Sequence, residues 1–174
     1  MVLLVQRITH DDTELFAAAC KIRQKVFLEE YGLDPELDTE PSDAYPTTLH
    51  FLGFDSETQQ HVAVARAVLV PETQSLQFGR IAVLPEARGR RHGLSLMQFA
   101  VKYVRAWDAA PSIHTMFLLC PQDKQAFYEK CGFTATHHTE IAFYEKCGFT
   151  ATHRTEIVRD LVLYEMTQSV SGDL

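Results

Sequence analysis

Basic residues are scarce in this sequence, and apolar runs long enough to cross a membrane are missing. Lys and Arg total 16 against 23 Asp and Glu, which gives a formal net charge of −7, whereas nucleic-acid binding depends on clustered positive charge. The apolar stretch VAVARAVLV is short and interrupted by Arg66, and the start MVLLVQRITHDD has neither a basic beginning nor a small-residue cleavage site. We therefore expect a soluble, cytoplasmic protein without a nucleic-acid or membrane partner, acting on a neutral or cationic substrate.

Cysteine is sparse as well. Of the four cysteines, Cys131 and Cys147 occupy equivalent positions of a repeated segment, which leaves Cys20, Cys120 and one further residue as the original set. An odd set indicates reduced thiols rather than a disulfide framework. At 174 residues the chain has the size of one ordinary domain, and we expect a single domain over residues 1–174.

One segment of sixteen residues occurs twice in tandem, at 126–141 and again at 142–157. The two copies differ only where His138 in the first corresponds to Arg154 in the second. Composition alone does not produce two adjacent copies this similar, so the segment is a tandem duplication.

The spacing of apolar residues predicts alternating strands and helices. Turn-like DSETQQ and PETQ separate three apolar runs in the first half of the chain, which predicts an antiparallel meander. The fold class is therefore α/β (α+β) with a mostly antiparallel sheet. The predicted elements are a strand (Val2–Ile8), a helix ending before Gly32, three strands (Leu49–Asp55, His61–Val70, Ser75–Val83), a helix (Gly93–Trp107), a strand (His114–Cys120), a short helix (Gln122–Lys130) and a last strand (Leu161–Met166).

The segment Asp34–Pro46 is rich in acids and prolines. It contains three prolines and five acids with no basic residue, which is typical of a solvated loop. An alternative is that its carboxylates border a binding site for an amine and attract the cation.

The stretch RIAVLPEARGRRHGLSLM predicts an anion-binding turn. A strand runs through Val83, and a turn containing proline and glycine then leads directly into an amphipathic helix. Backbone N–H groups of such a turn and of the helix start converge on one concavity, and Arg88, Arg90 and Arg91 add positive charge. The stretch is neither a GxxxxGK[ST] loop nor a GxGxxG loop.

These residues resemble the GNAT superfamily of acyl-CoA-dependent N-acyltransferases, whose signature is R/Q-x-x-G-x-G/A after the fourth strand. Arg88 and Gly93 match this pattern, and Arg91 stands where the pattern has its middle glycine. The stretch FLLCPQDKQAFYEKCGF resembles the fifth strand and following helix of the family, and KIRQKVFLEEYG resembles its first helix. The resemblance implies a GNAT-like fold with helices on both faces of a central mixed sheet.

The resemblance also implies an N-acetyltransferase that uses acetyl-CoA, without a metal, to acetylate a primary amine of a small molecule or peptide by direct attack in a ternary complex. Its fourth strand would bind the pantetheine and donate a backbone N–H to the thioester oxygen, and its turn would hold the pyrophosphate. The implied cofactor-binding residues are Ile81, Ala82, Val83, Arg88, Gly89, Arg90, Arg91, His92, Gly93, Leu94 and Ser95. The alternative is a catalytically impaired acyl-CoA sensor or interaction module.

In the resemblance, a tyrosine of the short helix protonates the leaving thiolate, and this residue is Tyr128 or Tyr144. Copy one has the right spacing from the preceding strand, and copy two has the right spacing from the last strand. We favour Tyr128, because sixteen extra residues before the helix would separate it from its strand, whereas a long loop after it costs little. An alternative is a homodimer that is domain-swapped through the surplus segment.

Spacing leaves other residue roles open. The histidines His137, His138 and His153 lack a cysteine or carboxylate set that would complete a metal site, and Cys120 and Cys131 are expected to be packing residues. The general base is undetermined, and the candidates are Glu30, Glu40, Glu72, His50 and His114.

Overall fold

The computed structural model describes residues 2–35, 38, 40–107, 113–139 and 163–170. The strands are β1 (Leu3–Ile8), β2 (Leu49–Asp55), β3 (Gln60–Val70), β4 (Ser75–Val83), β5 (Thr115–Pro121), β6 (Thr134–Thr139) and β7 (Leu163–Ser169). The helices are α1 (Thr13–Arg23), continued by a π-helical segment (Gln24–Glu30), then α2 (His92–Arg105) and α3 (Gln125–Lys130). The predicted elements are confirmed, most of them within two residues at each end.

The seven strands form one mixed sheet in the order β1-β2-β3-β4-β5-β7-β6. The pair β4 and β5 is parallel, and the other neighbours are antiparallel. The meander from β2 to β4 needs only short turns, whereas the parallel step from β4 to β5 needs a crossover, which α2 supplies. The predicted mostly antiparallel mixed sheet is confirmed.

Helices cover both faces of the sheet. Successive residues of a strand point to opposite faces, and in β2 the ring of His50 contacts Phe16 of α1 while Phe51 contacts Phe99 and Tyr103 of α2. Both of these β2 side chains are almost fully buried. Helices α1 and α2 therefore lie on opposite faces, as the fold class predicts. No helix of the described ranges is long and apolar enough to span a membrane.

The parallel pair separates along its length. Pairing between β4 and β5 runs from Ser75 opposite Thr115 to Phe78 opposite Leu118. Strand β4 continues to Val83, and β5 continues to Pro121. A gap therefore opens between the carboxyl ends of the two strands.

Candidate functional site

A bulge interrupts β4 where it leaves β5. Arg80 and Ile81 together lie opposite the single residue Ala65 of β3. Arg80 has a φ of 51°, a left-handed conformation that costs a residue with a side chain about 1–2 kcal/mol. The bulge follows Phe78, the last residue of β4 that pairs with β5. The backbone at the bulge thus lies beside the gap between the two strands.

The predicted pantetheine-binding residues continue from this bulge. Ala82 is buried, and the side chains of Ile81 and Val83 are half-buried. The carbonyl of Val83 accepts a 3.0 Å hydrogen bond from Nε of Arg88. The end of β4 is thereby tied to the turn that follows it.

That turn uses two left-handed residues. Pro85–Ala87 forms a 3₁₀ turn, Gly89 has a φ of 76°, and Arg91 has a φ of 63°. A Cβ on Gly89 would meet no atom within 4 Å, so the backbone angle is what favours glycine there. Arg91 adopts a conformation that a glycine adopts without steric cost, at the position where the family pattern has glycine.

Helix α2 begins directly after Arg91. The N–H groups of His92, Gly93 and Leu94 have no acceptor within the helix, and the N–H of Ser95 donates to the carbonyl of Arg91 at 3.0 Å. A row of free N–H groups at the positive end of a helix is suited to bind an anion. The turn thus has the donors that a pyrophosphate requires.

Two of the three arginines in the turn already have internal partners. Both terminal nitrogens of Arg88 donate to the carboxylate of Glu30 at 2.6 Å, which raises the pKa of Arg88 and lowers that of Glu30. Arg90 lies 3.5 Å from the buried carboxylate of Asp55. Arg91 is exposed and has no ion pair within the described residues. The charge that is free to meet a ligand is therefore mainly that of Arg91.

The side chain of His92 points away from the turn. It is buried, and its Nε2 lies 3.3 Å from Oδ2 of Asp55. His92 can therefore contribute only its backbone N–H to a ligand. Of the next predicted residues, Leu94 is half-buried and Ser95 is exposed.

The helix start also contacts α3. A Cβ on Gly93 would lie 3.2 Å from Cζ of Phe127 and 3.5 Å from Cγ2 of Val83. The ring of Phe127 in turn packs edge-on against Tyr128, with 4.9 Å between ring centroids. Glycine at position 93 thus allows α3 to approach the turn and the end of β4.

Tyr128 is a protonated phenol at neutral pH. Burial raises its pKa well above the usual value, and the neighbouring Cys120 and Cys131 thiols act in the same direction. Burial also raises the pKa of Cys120 and of Cys131 to about 11, so both stay thiols at neutral pH and lack the thiolate that a nucleophile requires. The Sγ of Cys131 donates to the carbonyl of Phe127 at 3.4 Å.

Copy one of the duplicated segment supplies α3 and β6. Strand β6 pairs with β7 from Thr134 opposite Thr167 to Thr139 opposite Leu163. Copy two, with Tyr144, lies outside the described residues, as does His153. The backbones of His137 and His138 belong to β6. Within the described ranges, no group of three or more His, Cys, Asp or Glu could hold a metal ion.

An ionic network connects the acidic loop to the sheet. Asp43 accepts hydrogen bonds from Arg23 at 3.2 Å and from Arg66 at 2.9 Å. Glu40 bonds to Arg66 at 3.0 Å and pairs with Arg80. Burial would raise the pKa of Asp43, but the two arginines outweigh it and lower the pKa.

Arg23 also contacts Asp38. Its Nε donates to the Asp38 carboxylate at 3.0 Å, and its Nη2 donates to the Asp38 carbonyl. Asp38 and Asp43 are about 95% buried. The expectation of a solvated loop is therefore wrong for these acids, because three arginines of α1, β3 and β4 hold the loop. The alternative, that these carboxylates attract an amine, has little support because Asp38, Glu40 and Asp43 already have cationic partners.

Sequence reasoning missed this network, although a signal for it exists. Arg66 and Arg80 each stand alone in an apolar stretch, in VAVARAVLV and QFGRIAV. A cation at a core position needs a buried anion, and the acid-rich loop is one source of such anions.

The candidate general bases near the bulge have partners. Glu30 is held by Arg88, and Glu40 by Arg66 and Arg80. His50 is buried with its Nε2 2.9 Å from the Asp43 carbonyl, and burial lowers its pKa.

The other two candidates lie at the opposite end of the β4 and β5 pair. Glu72 belongs to the turn before β4, and His114 directly precedes β5. Ile81 lies six residue steps along β4 from Ser75, which is about 20 Å at the rise of a strand. Glu72 and His114 are therefore too far from the bulge to act there.

A small cleft opens beside the bulge. It is lined by Phe27 of the π-helical segment, Leu33, Asp38 and Arg80. Tyr31, whose ring lies near Phe27, is more than half exposed. Phe27 and Leu33 form the apolar walls of the cleft, and Asp38 and Arg80 form its polar end. Asp38 pairs with Arg23, and Arg80 pairs with Glu40.

A parted parallel strand pair, a bulge and an N–H-rich turn define an acyl-CoA N-acyltransferase type of fold. Residues 49–135, half of the chain, match the family described as acetyltransferase (GNAT) domain. The chain belongs to this family. The predicted GNAT-like fold is confirmed.

Solved structures show the same fold. ElaA of Escherichia coli has a TM-score of 0.71 and 20% identity over 96% of this chain and 99% of that one. An acyl-CoA N-acyltransferase from Pseudomonas aeruginosa has a TM-score of 0.69 and 22% identity over 96% and 99%. The ribosomal-protein-S18-alanine N-acetyltransferase of Escherichia coli has a TM-score of 0.68 and 16% identity over 99% and 97%. At these identities the likeness concerns the fold.

Proposed function

We propose that the protein transfers an acetyl group from acetyl-CoA to a primary amine by direct attack in a ternary complex. The observation that carries the proposal is the gap between β4 and β5, which has the Arg80 bulge on one side and the start of α2 after it. Family membership supports the same reaction. The acceptor is a small-molecule or peptide amine, a range that includes the protein alanine named for one structural neighbour.

The described residues fit acetyl-CoA, which supplies a thioester activated toward amines. In this proposal the backbone of Ile81 to Val83 binds the pantetheine, and a backbone N–H of the bulge donates to the thioester oxygen. The turn from Arg88 to Ser95 holds the pyrophosphate through its N–H groups and the free charge of Arg91. Because phosphates bind at helix starts chiefly through backbone N–H groups, the side chain of Arg91 does not prevent binding.

The acceptor amine attacks as a neutral base and loses a proton as the new amide forms. Since Glu30, Glu40 and His50 are held by other groups, we assign the removal of this proton to water. Tyr128 donates its phenolic proton to the sulfur as the carbon–sulfur bond breaks, and its raised pKa keeps that proton in place beforehand. Tyr144 is the alternative donor.

One observation favours a second candidate function. The acids and histidines near the bulge that could act as a base are engaged by arginines or by a backbone carbonyl. A protein with this arrangement could bind acyl-CoA as a sensor or interaction module without transferring the acyl group.

We further propose that residues 1–174 form a single domain and that the protein is cytoplasmic. A homodimer that is swapped through the duplicated segment is the alternative to a monomer.

The test compares Tyr128→Phe with Tyr144→Phe. Release of CoA thiol is measured across a panel of primary amines, and acetyl-CoA binding is measured by calorimetry at two salt concentrations. We expect Tyr128→Phe to lower kcat about 100-fold, the usual contribution of a proton donor, with an unchanged Kd. An equal loss in Tyr144→Phe alone would assign the role to copy two. Micromolar binding without turnover of any amine would favour the sensor.

A further inference from the structure

The backbone of Arg80 forms part of the β4 bulge, whereas its side chain contacts the acidic loop. Its φ of 51° forms the bulge of β4, and its side chain, about three-quarters buried, extends to the acidic loop. Left-handed residues with side chains persist where the surroundings hold them there. The contacts of the Arg80 side chain can therefore hold its backbone in the left-handed conformation.

Those contacts come from the loop that borders the cleft. The guanidinium pairs with the carboxylate of Glu40, and its Nε donates to the carbonyl of Asp38 at 3.4 Å. Glu40 is itself fixed, because its other oxygen accepts from Arg66 at 3.0 Å and from Ser42 at 3.1 Å.

The loop is anchored independently of Arg80. Asp43 binds both Arg23 of α1 and Arg66 of β3, and both arginines are more than 90% buried. Because the loop is held by two rigid elements, it offers Arg80 a fixed point of attachment. The buried network therefore fixes Glu40, and Glu40 in turn fixes the side chain of Arg80 at the bulge.

We propose that Arg80 is a positioning residue that couples the cleft lined by Phe27, Leu33 and Asp38, which we assign to the amine, to the β4 bulge, which we assign to the thioester. Its anchored side chain holds the strained bulge and forms part of the cleft wall beside Asp38. The inference rests on the proposed function for its catalytic consequence, whereas the coupling between loop and bulge is a property of the folded chain alone.

The experiment compares two substitutions of Arg80. Arg80→Gly removes the anchor but tolerates the left-handed backbone, whereas Arg80→Ala removes the anchor and keeps the strain. Gln74 supplies a matched control, because it has a φ of 49° in an exposed turn at the other end of β4. Gln74→Gly and Gln74→Ala change the backbone preference in the same way without touching the network.

The first readout is amide hydrogen exchange, which does not depend on activity. We expect faster exchange in both Arg80 variants for residues 78–84 of the bulge, unchanged exchange for residues 40–46 of the independently anchored loop, and no such change in either Gln74 variant. Unchanged exchange of the bulge in Arg80→Gly would overturn the proposal. If the Arg80 variants fail to fold, Glu40→Gln provides the same reading, since it removes the charge of the anchor and keeps its size.

The second readout is steady-state kinetics. We expect Arg80→Gly to raise the KM for the amine about tenfold, and Arg80→Ala to lower kcat about tenfold further, while the Kd for acetyl-CoA stays within a factor of about two in Arg80→Gly. Equal kcat in the glycine and alanine variants would contradict the role of the anchor in holding the bulge. If the unsubstituted protein acetylates no amine, the proposed function fails, and hydrogen exchange still decides the coupling.

Discussion

Two segments next to the β4 bulge carry most of the charge around the candidate site, and they hold it differently. The turn from Arg88 to Arg91 is exposed, and the groups it offers to a ligand, with the helix start after it, are mainly backbone N–H groups. In the loop, Asp38 and Asp43 are buried and Glu40 is half-buried, and these side chains bind arginines from three other elements. The first segment is built from local backbone conformation, and the second from contacts between residues far apart in the chain.

This difference indicates that the two segments have different roles in the proposed function. A backbone turn at a helix start recognises a constant group such as a pyrophosphate, because it needs no particular side chain. A loop whose acids are held by a buried ionic network has a fixed shape, which in the proposed function would suit selection among amines. Four changes would break or sharpen this contrast.

The largest effect is expected from Asp43→Ala. The substitution leaves the buried Arg23 and Arg66 without their shared carboxylate, and removing one partner of a buried ion pair costs about 3–5 kcal/mol. Urea unfolding measures the loss. Asp123→Ala is the control, because its pair with Lys124 is solvent-exposed and such pairs contribute about 0–1 kcal/mol. Similar losses in the two variants would mean that the network is no more important than a surface pair.

The same network predicts a loss of stability in acid. Although burial alone would raise the pKa of Asp43, Arg23 and Arg66 lower it. A carboxyl with a lowered folded pKa stabilises the protein above its unfolded pKa of about 3.9, and this contribution is lost as the pH falls below that value. Urea unfolding at a series of pH values within about two units of pH 4 should show that the free energy of unfolding falls less steeply toward acid in Asp43→Asn than in the unsubstituted chain. The same pH dependence of the free energy of unfolding in both proteins would contradict the lowered pKa of Asp43.

A smaller effect is expected from Arg91→Gly. Glycine adopts the φ of 63° without steric cost, so the variant should gain about 1 kcal/mol in unfolding free energy at this position. Acetyl-CoA binding should nevertheless weaken by a few-fold at low salt, because the free charge of the turn is lost. Arg105→Gln is the control for the loss of one positive charge on α2. Tighter binding in Arg91→Gly would show that the arginine obstructs the turn.

The smallest effect is expected from Glu30→Gln. This change removes the carboxylate that neutralises Arg88, so the guanidinium becomes available to a phosphate. We expect acetyl-CoA to bind about two- to fourfold tighter at low salt, with the difference decreasing as salt is added. Calorimetry on Glu30→Gln and on Glu29→Gln, its neighbour in the π-helical segment, separates the local effect from the change in net charge. Weaker binding in Glu30→Gln would mean that the Glu30 pair is needed to hold the turn.

The elements of the cofactor side could be predicted closely. Strand β4 and helix α2 have apolar periodicities of two and 3.6, and the turn between them contains the glycine and proline that such a turn requires. The left-handed φ of Arg91 could not be predicted, because a residue with a side chain rarely adopts it. The burial of His92 was also missed, since nothing in the sequence indicates that it meets Asp55 of β2.

The acid-rich loop beside the cleft was the harder part to predict. The segment Asp34–Pro46 has the composition of a solvated loop, and its two buried aspartates contradict that expectation. The composition of a segment shows that burying its charges would be costly. It does not show which residue elsewhere in the chain would offset that cost. The bulge at Arg80 could not be predicted either, because a register shift depends on the pairing with the neighbouring strand.

The sequence by itself determined the order of strands and helices, the turn between β4 and α2 and the family, because these depend on local periodicity and on short-range backbone preference. The tertiary structure alone decided which charges are free and which are paired. Glu30 is 58 residues from Arg88, and Glu40 is 40 residues from Arg80. Pairs at that separation form only when the sheet and helices bring their ends together. For the partly buried Glu40 and Arg80 pair, the lower polarity around it also strengthens the attraction.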